Sequence, residues 1–202
     1  MTINMKKGDA PLSLTKTNLI TFSCTWPATT DYDLSAIVVR ADNTLEYIAT
    51  FPAGKKGILR PTYTDPAKHA TDDGSVRHLG DARRGSGNAT ETMEVRLNGR
   101  IKAVIPFVYS AKKNGTGSFF GNQVTTEIKA GDQHVVVHAN NASNDRSVYT
   151  LVPGMIMNKG DTFEVQALEM YSARHSENRP GLHISNGIVT PLMDIGPENA
   201  RK

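Results

Sequence analysis

Short segments in which apolar and polar residues alternate recur along most of this chain. Such alternation has the period of a β-strand, whose successive side chains point to opposite faces. Clusters of Gly, Pro, Asn and Asp that are typical of turns separate the segments. The alternating segments are residues 19–26, 34–40, 44–51, 91–97, 101–109, 123–129, 134–139, 147–152 and 162–171. The pattern predicts an all-β fold of two antiparallel sheets packed as a β-sandwich.

The predicted sandwich spans residues 5–173, and residues 174–202 form a C-terminal extension. A chain of 202 residues is long enough for one domain with a full hydrophobic core and an appendage. In the sandwich, alternation predicts six core residues in two segments, namely Phe22, Cys24, Trp26, Leu34, Ala36 and Val38. Cys24 lies between two aromatic residues of the same face, so we interpret it as a packing residue rather than a nucleophile.

An Asn-Gly pair, Asn186-Gly187, predicts a hairpin inside the extension. A two-residue turn there pairs Ile184 with Val189 and His183 with Thr190, so apolar residues face apolar residues. A lone hairpin is marginally stable in water and must dock on something. We predict that the extension adds strands to a neighbouring copy or a protein partner. The alternative is that it folds back on its own sandwich and covers an edge.

The second Asn-Gly pair, Asn98-Gly99, predicts a different connection. A two-residue hairpin there would pair Val95 with Lys102 and Arg96 with Ile101, which crosses the apolar and polar faces of two amphipathic strands. A register slip of one residue inverts every side chain and is costly. Either a β-bulge intervenes, or the chain passes from one sheet to the other at this point; we favour the second, which also suits a sandwich.

The composition of the chain indicates which cellular compartment and which classes of partner the sequence favours. The single cysteine precludes an internal disulfide and favours a reducing compartment, and the first residues lack the apolar stretch of a secretory signal. No apolar run approaches the ~18 residues of a membrane span. We expect a cytoplasmic protein. Residues 51–68 carry several basic side chains, but a net charge of +3 without interleaved aromatic residues does not favour nucleic acid.

Two acidic segments about forty residues apart suggest a metal site. One runs from Asp31 to Ala36 at the start of a strand, and the other from Asp72 to Glu91 is punctuated by glycines. Carboxylates on a tightly folding backbone are suited to a hard divalent cation, with calcium as the best match. The alternative is ordinary turn chemistry, in which Asp bonds its own backbone. His78 in the second segment is interpreted as a residue that orients a carboxylate.

The same segments carry a family resemblance. Phe22-Ser23-Cys24-Thr25-Trp26 followed by Asp31-Tyr32-Asp33-Leu34-Ser35-Ala36 resembles the "W…DFDLDAS" segment of the TerD family. The string Gly74-Ser75-Val76-Arg77-His78-Leu79-Gly80-Asp81 resembles its "GSVxHxGD" segment, and Gly85-x-Gly87 with Glu91 its "GxG…DDE". Weaker similarities lie at Lys7-Gly8-Asp9, Leu14-Thr15-Lys16 and Phe120-Gly121-x-Gln123-Val124.

This chain departs from the family pattern at several acids. Ser35, Ala89 and Thr90 stand where the family has Asp, and Ala82 stands where it has Asn. In that family the acids form calcium sites, so the resemblance implies one weak calcium site or none. The residues that remain to form it are Asp31, Asp33, Asp81 and Glu91.

Three classes of function follow. The resemblance implies a stress-associated binding protein of the tellurium-resistance group, working with or without calcium. The second class is a metal-free structural or assembly module that uses the sandwich and residues 174–202 for protein contacts. The third is an enzyme, which we do not predict because the sequence carries no nucleophile-and-base pair, phosphate loop or zinc cluster.

Overall fold

A computed structural model describes residues 2–50, 68–82, 84–110, 117–139 and 145–198. Within these ranges the chain is all-β, without a helix. The basic segment noted at residues 51–68 lies outside them apart from Lys68. Accordingly, no helix among the described residues has the length and apolar character needed to cross a membrane.

Fourteen strands form the described structure. They are β1 (Thr2–Met5), β2 (Leu12–Thr15), β3 (Ile20–Pro27), β4 (Asp33–Arg40), β5 (Leu45–Ala49), β6 (Val76–His78), β7 (Asn88–Val95), β8 (Ile101–Tyr109), β9 (Thr125–Ala130), β10 (Gln133–His138), β11 (Thr150–Asn158), β12 (Thr162–Tyr171), β13 (Gly181–Ser185) and β14 (Ile188–Leu192). The first sheet has the order β1-β10-β9-β3-β7-β6, and the second has the order β2-β12-β11-β8-β4-β5. Strands β13 and β14 form a separate two-stranded sheet.

The two large sheets pack as the predicted sandwich, and its core lies between them. All six predicted core residues are buried there, with Cys24, Leu34, Ala36 and Val38 fully inaccessible. The aromatic ring of Trp26 packs edge-on against Tyr32. The first sheet departs from a purely antiparallel arrangement at one edge, where β1 runs parallel to β10. The sequence analysis missed β1, β2 and β6 because three or four residues are too few to show alternation.

Both Asn-Gly predictions are confirmed. At Asn98-Gly99 the chain leaves β7 in the first sheet and enters β8 in the second. Between β13 and β14, Ile184 pairs with Val189 and His183 with Thr190. In that turn Asn186 and Gly187 have φ of 50° and 78°, values that Asn and Gly tolerate better than other residues.

Residues 173–198, here called the C-terminal lobe, lie against the outer face of the second sheet. Leu182 and Val189 are buried in a second apolar cluster on that face. The sheet contributes Ile37, Val39, Tyr47, Ala49, Ala103, Ile105, Phe107, Tyr109, Val152 and Met155 to this cluster. Ile184 and Met193 pack against it, whereas Ile188 and Leu192 are exposed. The extension therefore covers the outer face of its own sandwich in this structure.

Replacing Gly154 with alanine is expected to lower the free energy of unfolding by about 2 kcal/mol. A Cβ at this position of β11 would lie 2.6 Å from the carbonyl oxygen of Gln166 on the neighbouring strand, so the two strands would have to separate. Gly99→Ala is the matched control, because a Cβ there meets no atom within 4 Å. Urea unfolding curves measure both; an equal, small effect of the two substitutions contradicts the close approach.

Candidate metal centre

Glu91 is a carboxylate at an inward position of an amphipathic strand. In β7 the residues Ala89, Glu91, Met93 and Val95 are buried and alternate with exposed or half-buried ones. Glu91 lies opposite Cys24 of β3, and only 1% of its surface is exposed. A charged group in this position needs polar partners, because burying an unpaired carboxylate is very unfavourable.

Three donors from three parts of the chain supply those partners. The Oε2 atom of Glu91 accepts a hydrogen bond of 2.7 Å from the backbone N–H of Leu34 in the second sheet. It also accepts one of 3.2 Å from Nε2 of His78, and Oε1 accepts one of 3.1 Å from the N–H of Ala82. Glu91 thus joins the two sheets and the loop that follows β6.

The predicted role of His78 as a residue that orients a carboxylate agrees with its contacts. The backbone N–H of Gly80 donates to Nδ1 of His78 over 3.0 Å, so Nδ1 is an acceptor. In the neutral ring the proton therefore sits on Nε2, which donates it to Glu91. His78 itself is only 4% exposed, so this pair is shielded from water.

Three of the four predicted site residues come together at this end of the sandwich. One carboxylate oxygen from each of Asp33, Asp81 and Glu91 lies within 4.8 Å of the other two. Asp33 and Glu91 are buried, and Asp81 is exposed. Two carboxylates at such a distance repel each other by about 3 to 4 kcal/mol at an effective dielectric constant of about 20. The cluster thus favours a positive charge beside it.

The fourth predicted residue, Asp31, is not part of this cluster. Its Oδ2 lies 3.8 Å from Nε of Arg84. Thr90, where the resemblance expects an acid, points away from the cluster and meets Thr25 on the exposed face of the first sheet. An aspartate at that position would project from the opposite side of β7 to Glu91.

Arg179 of the C-terminal lobe is the residue that sequence analysis missed. Its guanidinium is completely buried and lies over the rings of Tyr47 and Tyr109, 4.8 and 4.5 Å from their centroids. It donates hydrogen bonds to both phenol oxygens, over 3.0 Å in the case of Tyr109. Asp33 is the direct cross-strand partner of Tyr109, so its side chain starts on the same face.

The ionisation of these phenols reflects both charges. Burial raises the pKa of Tyr47 and of Tyr109 well above the ordinary value; the Arg179 charge opposes this rise and the Asp33 charge adds to it. The cluster therefore has a cation of the protein in its neighbourhood. Burial, with the nearby charge of Glu91, also raises the pKa of the Cys24 thiol, which supports a packing role for that residue.

A cleft of about 590 Å³ lies elsewhere, beside the turn between β4 and β5. Most of its charged side chains are already paired: Arg40 binds Glu46 and Asp73, and Lys68 binds Asp72. The Arg40 guanidinium holds the pKa of Asp73 well below its usual range. This cleft thus offers a charged ligand a surface whose charges are largely neutralised.

Comparison with models of known protein families and with curated proteins gives no match for this chain. The resemblance to the TerD family remains a prediction that rests on sequence motifs alone.

Proposed function

We propose that the chain is a non-catalytic, cytoplasmic TerD-like binding protein of the stress and tellurium-resistance group that holds one calcium ion weakly. The observation that supports this most is the convergence of Asp33, Asp81 and Glu91 from three separate segments. Three carboxylates from β4, β7 and the loop after β6 supply the oxygen ligands that calcium prefers.

The donor set fits a hard cation but is small. A carboxylate has about four lone-pair sites, and the three hydrogen bonds to Glu91 use all but one of them. Calcium takes six to eight oxygen ligands, so Asp33 and Asp81 together with backbone carbonyls and water would have to provide most of the shell. The Arg179 charge near Asp33 further weakens cation binding. We therefore expect a dissociation constant of about 10⁻⁴ M or above.

The calcium titration of Asp81→Asn is the direct test of this function. Asp81 is exposed, so its amide variant should fold normally while losing one charged ligand. We expect isothermal titration to show weak binding to the unchanged protein and at least tenfold weaker binding to the variant. Asp132→Asn, an exposed site in the turn between β9 and β10, is the matched control and should bind as the unchanged protein does. Absence of any calcium-dependent heat, or equal binding by both variants, refutes the site.

A metal-free assembly module is the second candidate function. Glu91 favours it, because protein donors already satisfy most of its hydrogen-bonding capacity. The C-terminal lobe also favours it, since this lobe forms a sheet of its own that covers a large apolar face through side-chain contacts. In that function the site stabilises the end of the sandwich, and the lobe provides contacts with other chains.

A further inference from the structure

The outer face of the second sheet carries a pocket shaped for a guanidinium group. Tyr47 and Tyr109 face Arg179 with both their rings and their hydroxyls. Planar guanidinium stacks on aromatic rings and donates several hydrogen bonds in fixed directions, which a lysine ammonium cannot do. The negative charge of Asp33 acts on both phenols and so adds charge complementarity to the shape. The pocket therefore selects arginine.

Backbone hydrogen bonds connect the segments of the C-terminal lobe that supplies this arginine. Arg179 and Gly196 are joined by a backbone hydrogen bond of 2.9 Å, and the N–H of Arg179 donates to the carbonyl of Pro197 over 2.8 Å. Asn178 and Glu198 form a further bridge, and β13 pairs only with β14. In the described residues, no strand ladder connects the lobe to either large sheet. The lobe can therefore leave the sandwich as a unit without breaking a sheet.

Residues 172–175, here called the tether, include the first residues of the lobe and connect it to the end of β12. His175 in this tether has a positive φ of 62°, a conformation that costs energy for a residue with a Cβ. Its N–H donates to the carbonyl of Ser147, and Arg174 forms an ion pair with Asp145 at 2.7 Å. Short, strained connections favour exchange of an element between identical chains, because exchange relieves the strain and preserves every contact of the docked element.

We propose that the guanidinium pocket binds Arg179 of a second copy of this chain, so that exchanged C-terminal lobes link the copies. The proposal rests on the second candidate function and names its partner and its contact. Each exchanged lobe covers the outer face of the neighbouring sandwich with the contacts that it makes here on its own. Tyr47 and Tyr109 bind the arginine side chain, and the tether determines how readily the lobe exchanges between copies.

Mixing two full-length variants tests this exchange. Arg179→Ala keeps the pocket but lacks the arginine; Tyr47→Ala with Tyr109→Ala keeps the arginine but lacks the pocket. Neither variant alone contains both an intact Arg179 and an intact pocket. In a mixture, the lobe of the tyrosine variant still carries Arg179 and can bind the intact pocket of the Arg179→Ala variant. After gentle warming and cooling, we expect differently tagged copies to co-purify at least fivefold more in the mixture than in either variant alone. Equal co-purification in all three samples overturns the proposal.

The tether gives a second measurement that does not depend on pocket variants. His175→Gly relieves the positive-φ strain and should lower the dimer fraction of the full chain severalfold, as measured by light scattering after size-exclusion chromatography. The matched control, His183→Gly, lies on the exposed face of β13 and should leave that fraction unchanged. A full chain that dimerises equally with or without Arg179 places self-association on another surface, which overturns the exchange but not the assembly function. A chain that stays monomeric at all concentrations overturns both.

Discussion

Replacing Glu91 with alanine is expected to lower the free energy of unfolding by about 4 kcal/mol. The substitution removes the acceptor of three donors, on Leu34, His78 and Ala82, and the donors on Leu34 and His78 lie in a region that water does not reach. Each buried donor that loses its partner costs about 1 to 3 kcal/mol. Chemical unfolding followed by Trp26 fluorescence measures the change, since Trp26 is buried in the same core.

Two further substitutions make the Glu91 result specific. Thr90→Ala changes the adjacent, exposed residue of the same strand and should cost well under 1 kcal/mol. Glu91→Gln keeps one acceptor oxygen but turns an amide N–H₂ toward a donor, so its cost should fall between those of the other two. If Glu91→Ala is no more destabilising than Thr90→Ala, the three hydrogen bonds do not hold the two sheets together.

Replacing Arg179 with alanine is expected to cost about 3 to 5 kcal/mol, the range found when one partner of a buried charged interaction is removed. The loss leaves two buried phenol hydroxyls without their donor and removes a cation from the neighbourhood of Asp33. Thermal unfolding by circular dichroism measures the effect on the sandwich. Limited proteolysis should show that the lobe, which Arg179 holds, becomes the first segment to be cut.

Arg174→Ala is the matched control for Arg179, since Arg174 belongs to the same lobe but its side chain is 74% exposed. Its ion pair with Asp145 lies at the surface, where such pairs contribute about 0 to 1 kcal/mol. If the two alanine substitutions lower the stability by similar amounts, Arg179 does not hold the lobe on the sandwich.

The sandwich could be predicted because its strands alternate clearly in the sequence. Alternation placed Phe22, Cys24 and Trp26 on one face of β3, and all three are buried there. The failed pairing at Asn98-Gly99 was equally informative, since it indicated the change of sheet that is observed. The short edge strands could not be predicted, because only their neighbours in the sheet give them a strand conformation.

The sequence of the second sheet also indicates where the C-terminal lobe lies. The central strands β4 and β8 contain apolar runs, Ala36–Val39 and Ala103–Tyr109, in which both faces are apolar. A strand buried on one side alternates, whereas a strand with such a run is covered on both sides. The apolar residues of the extension, around Leu182 and Val189, match this requirement and cover that face.

The candidate site was predictable only in part. Glu91 shares the phase of Ala89, Met93 and Val95, so an inward carboxylate could be read from β7 alone. The approach of Asp33 and Asp81 to Glu91 depends on how two sheets and a loop pack together. It could be predicted from the sequence only through the family resemblance. Nothing in the sequence distinguishes Arg179 from the other arginines, because its burial results from the docking of the lobe.

The covering of the second sheet by a later segment also affects how the chain is made. Strands β4 and β8 leave the ribosome well before residues 173–198, so the outer apolar face of the nascent sandwich has no cover during that interval. Transiently exposed apolar surface promotes aggregation. A chain interrupted before residue 173 therefore has a complete inner core, but the apolar outer face of its second sheet is uncovered. We expect such an interrupted chain to aggregate more readily than the full one.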